Sequence, residues 1–406
     1  MTKRVVLAYS GGLDTSVAVR WMIENWGVEV VAVLVNVGQD PESSERLEDI
    51  RSRALAAGAI ECVIVDARDE MAEEFCGRAI ATNALYEGKY PLVSALSRPV
   101  IVRHLVAQAR AFDAQAVAHG STGKGNDQVR FEVGVHALAP DLEVLAPARS
   151  WGMTRADSVD YAAQWSIPIQ ATKDKIYSID ENLWGRAIEC GDIEDPWAAP
   201  PEEPYTLTRV RTSEPVEMVL SFREGRPTAL DGQVMTPAEL IAVLNDRVGA
   251  TGFGRVDMVE NRRVGIKSRE VYECPGALAL IMAHGDLEDL TLERDVHHEK
   301  RRLETRWTEL VYDGLWFSPL KEALDAFVAE TQRFVTGDVR LRVEPPGVAR
   351  VVGRRSPYAL YDHGLATYDA DDAFHHEDSV GFVRIFGLGV QTWAARQGAR
   401  HATPGT

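Results

Sequence analysis

The run Lys3-Arg4-Val5-Val6-Leu7-Ala8-Tyr9-Ser10-Gly11-Gly12-Leu13-Asp14-Thr15-Ser16 decides the fold. Lys3 to Tyr9 is a short apolar stretch with strand character. It breaks at Ser10-Gly11-Gly12, and a helical pattern follows from Leu13 to Trp26. A strand that turns through glycines into a helix reads as the first half of a βαβ unit, since parallel strands need a crossover before they can pair. The same alternation continues outward. Val28–Val37 reads as a second buried strand, Ser43–Ala57 as a helix stopped by Gly58, and Cys62–Asp66 as a third strand. Glu70–Leu85 and a helix from Ser97 (a candidate N-cap, with Pro99 just inside) to Phe112 come next, then strands Gln115–His119 and Glu143–Pro147. Apolar strands separated by amphipathic helices predict an α/β fold with a doubly wound parallel sheet, whose ligands sit at the carboxyl ends of the strands.

The alternation stops near Ile167-Pro168-Ile169, and proline-rich Trp197–Pro204 reads as an extended loop. Strands Val216–Phe222 and Arg255–Val264, with helices Pro237–Val248 and Leu320–Val335, predict a second, α+β domain. Val380, Phe382, Val383, Ile385, Phe386, Leu388 and Trp393 make the end of the chain too apolar for a free tail. The expected division is a nucleotide-binding domain at 1–168, a synthetase domain at 169–376 and an oligomerisation tail at 377–406.

The chain has 406 residues and a net charge of −17. So acidic a surface disfavours nucleic acid and favours small-molecule substrates. No run reaches the ~20 apolar residues of a membrane helix, and the opening residues lack a secretory signal pattern; a cytoplasmic enzyme is expected. Cys62, Cys76, Cys190 and Cys274 form no CxxC pair or zinc spacing and read as reduced structural thiols. The pairs His297-His298 and His375-His376 read as polar surface. No metal site built from protein ligands alone is expected.

The glycines of Ser10–Ser16 let the backbone turn and approach an anion, and the following helix offers N–H groups and the positive end of its dipole. Ser10, Thr15 and Ser16 add hydroxyl donors. Asp14 would repel phosphate unless it binds a cation or orders the loop, and Mg²⁺ is the cation that fits. Asp14 and Ser10 are therefore the candidate catalytic residues. The pattern is neither a dinucleotide fingerprint nor a Walker loop, because Gly125 follows Gly123-Lys124 where Ser or Thr is needed. A second glycine-rich loop, Ala118–Glu132, follows a strand and so lies at the same sheet edge. Asn126 is a natural helix N-cap, Asn126 and Arg130 share a face at i, i+4, and Arg130 offers a fork of donors for a carboxylate. Asp127 can accept from an amine. The set suits a substrate with both groups, such as an amino acid.

The first motif is similar to that of the N-type ATP pyrophosphatases, which implies cleavage of ATP to AMP and pyrophosphate. AYSGGLDTS at 8–16, HGSTGKGNDQVRFE from His119, SIDENLWGR from Ser178, VENR from Val259 and IKSREVYE from Ile266 together resemble the argininosuccinate synthase family, in that family's order. The resemblance implies joining of citrulline to aspartate with ATP, by a citrullyl-adenylate, in a homotetramer. It assigns Ala8, Tyr9, Ser10, Gly11, Gly12, Leu13, Asp14, Thr15, Ser16 and Gly120 to ATP. Thr122, Asn126 and Asp127 would meet aspartate. Tyr90, Asn126, Arg130, Ser178, Ala187, Glu260 and Tyr272 would meet citrulline, with Arg130 on its carboxylate and Glu260 on its ammonium.

The chain departs from the family pattern at Val93-Ser94-Ala95, where Gly-Thr-Ser is common, at Val35 for Ala and at Ala187 for Ser; any contact of Ala187 is through backbone. These departures imply altered affinity and not a different reaction. A tRNA-modifying thiolase or an amidotransferase synthetase is the rival reading within the same superfamily, disfavoured by the acidic charge, the missing CxxC and the lack of a glutaminase domain. A non-catalytic nucleotide-binding regulator would have little use for the second loop.

Overall fold

The computed structural model describes residues 2–39, 44–168, 177–369 and 372–398. The first part runs β1 (Arg4–Ala8), α1 (Leu13–Trp26), β2 (Glu29–Asn36), α2 (Ser44–Ala56), β3 (Glu61–Asp66). A helical stretch follows, made of α3 (Arg68–Glu70), a π segment Met71–Cys76 and α4 (Gly77–Ala81). Then come α5 (Val93–Ala111), β4 (Ala116–Ala118), α6 (Asp127–Leu138), β5 (Glu143–Leu145), a short α7 (Pro147–Ser150) and α8 (Arg155–Gln164). The strands form one sheet in the order β3-β2-β1-β4-β5, every neighbouring pair parallel. Both faces are covered. Val5 and Leu7 join one core with the buried side of α1, while Val6 joins the other with α5. That is why these strands are apolar throughout. The order reverses between β1 and β4, so the loops leaving these two strands flank the crevice where doubly wound sheets bind ligands.

Some expected boundaries move. α5 begins at Val93, four residues before Ser97, because Leu92 turns the chain at φ +67; Ser97 Oγ bonds the Ser94 carbonyl, and Pro99 falls inside the helix. The helix expected at 70–85 occupies Arg68–Ala81, and Ser43, the expected start of α2, lies outside the described residues. The expected boundary at 168/169 runs into 169–176, which also lie outside them.

Beyond residue 177 the structure is α+β. It comprises β6 (Ser178–Asn182), β7 (Gly185–Glu189), β8 (Val216–Arg223), β9 (Arg226–Leu230), β10 (Gln233–Val234), α9 (Pro237–Gly249), β11 (Arg255–Asn261), β12 (Lys267–Glu273), α10 (Pro275–Thr291), α11 (Arg294–Tyr312), α12 (Pro319–Thr331), β13 (Gly337–Glu344) and β14 (Val348–Arg355). β11-β12-β7-β6 form one antiparallel sheet and β10-β9-β8-β13-β14 another. Trp197–Pro204 has no regular element. Chain contacts separate Met1–Tyr358 from Ala359–Thr406. Within the second unit lie α13 (His363–Ala366), α14 (Asp378–Phe386) and α15 (Leu388–Arg396), whose Phe382, Ile385, Phe386 and Trp393 side chains are exposed.

A polar cluster lies inside the first unit. Lys300 of α11 is fully buried and pairs with Glu288 of α10 at 2.9 Å and with Glu304. Asn83 donates to both carboxylates, at 2.7 and 2.8 Å, and its Oδ1 lies 2.7 Å from His284 Nδ1. Gln332 donates to Glu288 at 2.6 Å. The cluster pins α10 to α11 and fixes the start of the loop that carries Tyr86 and Tyr90. Buried charge is tolerated only while it is paired. Lys300→Met should therefore destabilise the fold by about 3–5 kcal/mol, measured by urea unfolding, and adding Glu288→Gln should recover part of the loss. A Lys300→Met chain as stable as the parent would refute the account.

Candidate functional site

The loop after β1 is tightly ordered by its own hydroxyls. Tyr9 N–H bonds the Val33 carbonyl at 2.9 Å, and Tyr9 Oη and Ser16 Oγ lie 2.9 Å apart. Thr15 Oγ1 is 3.1 Å from Ser10 Oγ and accepts from Ser10 N–H at 3.3 Å, while Gly12 N–H donates to Ser10 Oγ. Gly11 needs its glycine: φ is +73, and a Cβ would sit 2.8 Å from Ile50. Arg53 holds the Gly11 carbonyl at 3.0 Å, which occupies that acceptor of the loop. Gly12 caps α1 without a side chain, so the first-turn N–H groups lack intrahelical acceptors and face the loop. Asp14 is exposed in that first turn and Leu13 is buried.

β4 places the second loop beside the first. A Cβ on Gly120 would lie 3.1 Å from Thr15 Cγ2, so the two loops meet closely here and a larger residue would have to push Thr15 aside. His119 is buried and its Nδ1 accepts from Ser121 N–H at 3.2 Å. Burial pushes its pKa down despite nearby Glu132, so it stays neutral. Thr122 is exposed.

The residues at the start of α6 differ from expectation. Asn126 stands at the N-cap position but its side chain makes no cap bond. It accepts from Arg263 N–H at 2.9 Å and donates to Tyr312 Oη at 2.9 Å, because α11 and the turn after β11 close over it. Arg130 is buried; its Nε donates to the Tyr312 carbonyl at 3.1 Å and its Nη1 to Asp127 at 2.9 Å. Among the described residues Nη2 has no acceptor, so of the five guanidinium N–H groups the two on Nη2 and one on Nη1 remain for a ligand. Asp127 also takes two bonds from Arg98, at 2.9 and 2.6 Å. Burial raises the Asp127 carboxyl, but Arg98 and Arg130 outweigh it and bring it down to about 2. Asp127 is thus a fixed anion.

The other expected residues share one sheet face. Strand side chains alternate, and the pairings Asp180↔Ala187, Tyr272↔Ala187, Ser178↔Glu189 and Met258↔Glu270 set Ser178, Asp180, Ala187, Glu189, Tyr272, Glu270 and Glu260 on the same side. Tyr90 stacks on Tyr272 with ring centres 4.2 Å apart. Tyr272 Oη lies 2.8 Å from Glu270 and 3.2 Å from Glu260. Arg262 bonds Glu270 at 2.6 Å and Glu189 at 2.7 Å. Arg98 joins this face to the loops, reaching Asp180 at 2.6 Å, where Ser94 Oγ also donates at 2.6 Å. The departure at Ser94 is thus occupied by an internal bond, and its N–H donates to Tyr90 Oη at 2.9 Å.

Two family models cover nearly all of this architecture. The N-terminal HUP domain of argininosuccinate synthase matches residues 4–168, and the C-terminal domain of argininosuccinate synthase matches 177–393. The chain belongs to the argininosuccinate synthase family. It is accordingly a ligase, and the HUP domain of this family binds ATP. Among solved structures it is similar to a predicted subunit of a tRNA methyltransferase from Methanocaldococcus jannaschii, at 15% identity and TM-score 0.28 over 40% of this chain and 76% of that one. It is likewise similar to the U34-tRNA thiolase NcsA from Methanococcus maripaludis with its 4Fe-4S cluster, at 15% identity and TM-score 0.28 over 42% of this chain and 59% of the thiolase. Likenesses this slight carry nothing about the chemistry here.

Sequence reasoning missed Arg98, Asp180, Glu270, Arg262 and Tyr312. Asp180, Arg262 and Glu270 sat inside the quoted motifs, and Glu270 shares a strand face with Tyr272 two residues on. Ser94 and Arg98 are i, i+4 on α5, a signal lost when the helix was started at Ser97.

Burial, followed by the nearby Glu260 charge, raises Glu270 to about 7. A raised carboxyl binds its proton more tightly in the folded chain, so its contribution is present below about pH 4.5 and is lost as pH rises towards 7. Relative to the parent, Glu270→Gln should therefore gain on the order of 1–3 kcal/mol of unfolding free energy between pH 5 and pH 8. A gap between the two chains that does not change with pH would overturn this.

Proposed function

We propose that this ligase condenses L-citrulline with L-aspartate, through a citrullyl-adenylate, to give argininosuccinate, AMP and pyrophosphate, as a step in arginine biosynthesis. One observation carries the reading: two anion-suited loops at the switch point of the sheet meet a strand face that holds a buried carboxylate, Glu260, beside Tyr272. Phosphates fit the first loop and the two charged ends of an amino acid fit the second. ATP would lie along Ala8–Ser16 and Gly120, aspartate against Thr122, Asn126 and Asp127. Citrulline would lie against Tyr90, Asn126, Arg130, Ser178, the Ala187 backbone, Glu260 and Tyr272.

In the first step the ureido oxygen of citrulline attacks the α-phosphorus, the P–O bond to pyrophosphate breaks, and the ureido oxygen becomes bound to AMP. In the second the aspartate amine attacks the ureido carbon, the C–O bond breaks with AMP as leaving group, and the amine loses a proton. The chain contributes positioning and charge. Ser10 Oγ and the α1 N–H groups would hold the departing pyrophosphate. Arg130 Nη2 would take the citrulline carboxylate and Glu260 its ammonium. Asp127, ionised down to about pH 2 and held by two arginines, orients the aspartate amine and is a poor proton acceptor.

Mg²⁺ fits as a companion of the nucleotide. Asp14 offers one exposed carboxylate at the loop, and among the described residues no group of three His, Cys, Asp or Glu could hold a metal ion. Asp14 would help to hold Mg²⁺ beside the nucleotide, and the ion would supply charge neutralisation for the departing pyrophosphate.

With ATP present, pyrophosphate release should require citrulline, and ¹⁸O placed in the ureido group should appear in AMP by mass spectrometry. Label in pyrophosphate, or kept in the condensed product, would sink the adenylate route.

We further propose a cytoplasmic homotetramer, with domains at 1–168 and 169–376 and a tail at 377–406 that packs on a second copy. The four cysteines are free thiols, and among the described residues no helix is long and apolar enough to cross a membrane. The support for assembly is the apolar side chains exposed on α14 and α15, from Val380 to Trp393. Ending the chain at Asp378 should lower the mass seen by light scattering; an unchanged mass would show that the tail takes no part in assembly.

A further inference from the structure

We propose that Tyr312, the last residue of α11, is a positioning residue for the ligase reaction: it sets the orientation of both Asn126 and Arg130 and so fixes which hydrogen-bonding groups the second loop presents to the amino-acid substrates. The inference rests on the proposed roles of those two residues.

Tyr312 reaches each of them by a separate group. Its hydroxyl accepts from Asn126 Nδ2 at 2.9 Å, and its backbone carbonyl accepts from Arg130 Nε at 3.1 Å. Its ring lies under the guanidinium, 5.1 Å from Arg130 Cζ to the ring centre. The ring is itself held. Tyr86 stacks on it at 3.6 Å with the planes 4° apart, and Tyr90 meets it edge-on at 6.4 Å. Tyr312 is 1% exposed, so none of these contacts can be exchanged for water.

The consequence for Asn126 follows from counting its hydrogen-bonding capacity. Arg263 N–H claims one lone pair of Oδ1 and Tyr312 claims one hydrogen of Nδ2. A flip would turn the NH₂ onto the Arg263 N–H, an N–H donor; the phenol, which can donate or accept, fixes where the other end of the amide sits. One lone pair and one hydrogen remain, in a fixed sense. For Arg130 the clamp uses Nε, Asp127 uses Nη1, and Nη2 is left in a fixed direction. The chain turn after Tyr312 reinforces the clamp: Gly314 has φ +80, and a Cβ there would lie 2.8 Å from the Arg130 Cα. No local pattern joins Tyr312 to residues 126–130, because they meet only through the tertiary fold.

Tyr312→Phe removes the hydroxyl and keeps the stack and the carbonyl bond. Steady-state kinetics should show KM for citrulline and for aspartate raised about three- to tenfold, with KM for ATP and the thermal midpoint unchanged. Because the hydroxyl acts through Asn126, Tyr312→Phe should add nothing to Asn126→Ala in the double variant. Multiplying effects, an ATP KM that rises in parallel, or unchanged amino-acid KM values would each overturn the proposal. Should Tyr312→Phe not fold, Tyr86→Leu carries the test, since it removes the stack that holds the Tyr312 ring and leaves Tyr312, Asn126 and Arg130 in place; it must raise the two amino-acid KM values and not that for ATP. A parent chain that releases no pyrophosphate with citrulline would instead defeat the proposed function itself, before any variant is compared.

Discussion

The guanidinium of Arg98 holds the two halves of the site in register. It stands on α5, under the doubly wound sheet, and bonds Asp127 at the start of α6 and Asp180 on β6. A mostly buried arginine is costly unless its donors are satisfied by charge. Here two carboxylates and the Ser97 hydroxyl satisfy it. That bridge and the bond from Arg263 N–H to Asn126 fix the loop that follows β4 against the strand face that carries Tyr272. The bridge also settles the state of Asp127, whose two oxygens are each taken by an arginine.

The arrangement was half legible in the sequence. The βαβ pattern and SGGLDTS gave the parallel sheet with strand ends off by one or two residues and α1 at its observed bounds, because buried strands and glycine turns leave a local record. The glycine-rich run after Ala118 gave the second loop for the same reason. What local pattern could not give was the use of each polar group. Asn126 has the composition of an N-cap, yet Arg263 and Tyr312 claim its side chain from far along the chain. Arg130 has a fork, yet the Tyr312 carbonyl from far along the chain takes its Nε, and Asp127 one turn back on α6 takes a hydrogen of Nη1. A rule about a residue type states its capacity, and burial decides how much of that capacity is left for a ligand. Pro99 makes the same point for secondary structure, since tertiary packing around Leu96, Val100 and Val102 carries α5 through it.

Strand alternation did more for the site than any motif. Two-residue spacing on β6, β7, β11 and β12 sends one set of side chains to a single face, and that set is unevenly charged. At one end Glu260, Glu270 and Glu189 share Arg262. At the other, Asp180 of β6 meets Arg98 of α5, which together with Arg130 of α6 holds Asp127. Three carboxylates on one arginine favour a cation beside them. The other end has its two arginines matched by two carboxylates, with Arg130 Nη2 left over as a donor.

On the proposed function this asymmetry does the work of orientation. A free amino acid carries its ammonium and carboxylate on one carbon, so a site with an acidic group and a spare guanidinium N–H can hold it by that end alone. The side chain must then extend away from the pair. With the α-carbon held between Glu260 and Arg130, the ureido group of citrulline is free to reach the crevice between β1 and β4, where the α-phosphorus would lie. Reversing the amino acid would place its ammonium beside Arg130 and its carboxylate beside Glu260, two like-charge contacts at once. In a buried site such contacts are strongly unfavourable. On that reading Glu260 and Arg130 together would select the direction of the substrate, and the phosphate loop the atom that reacts.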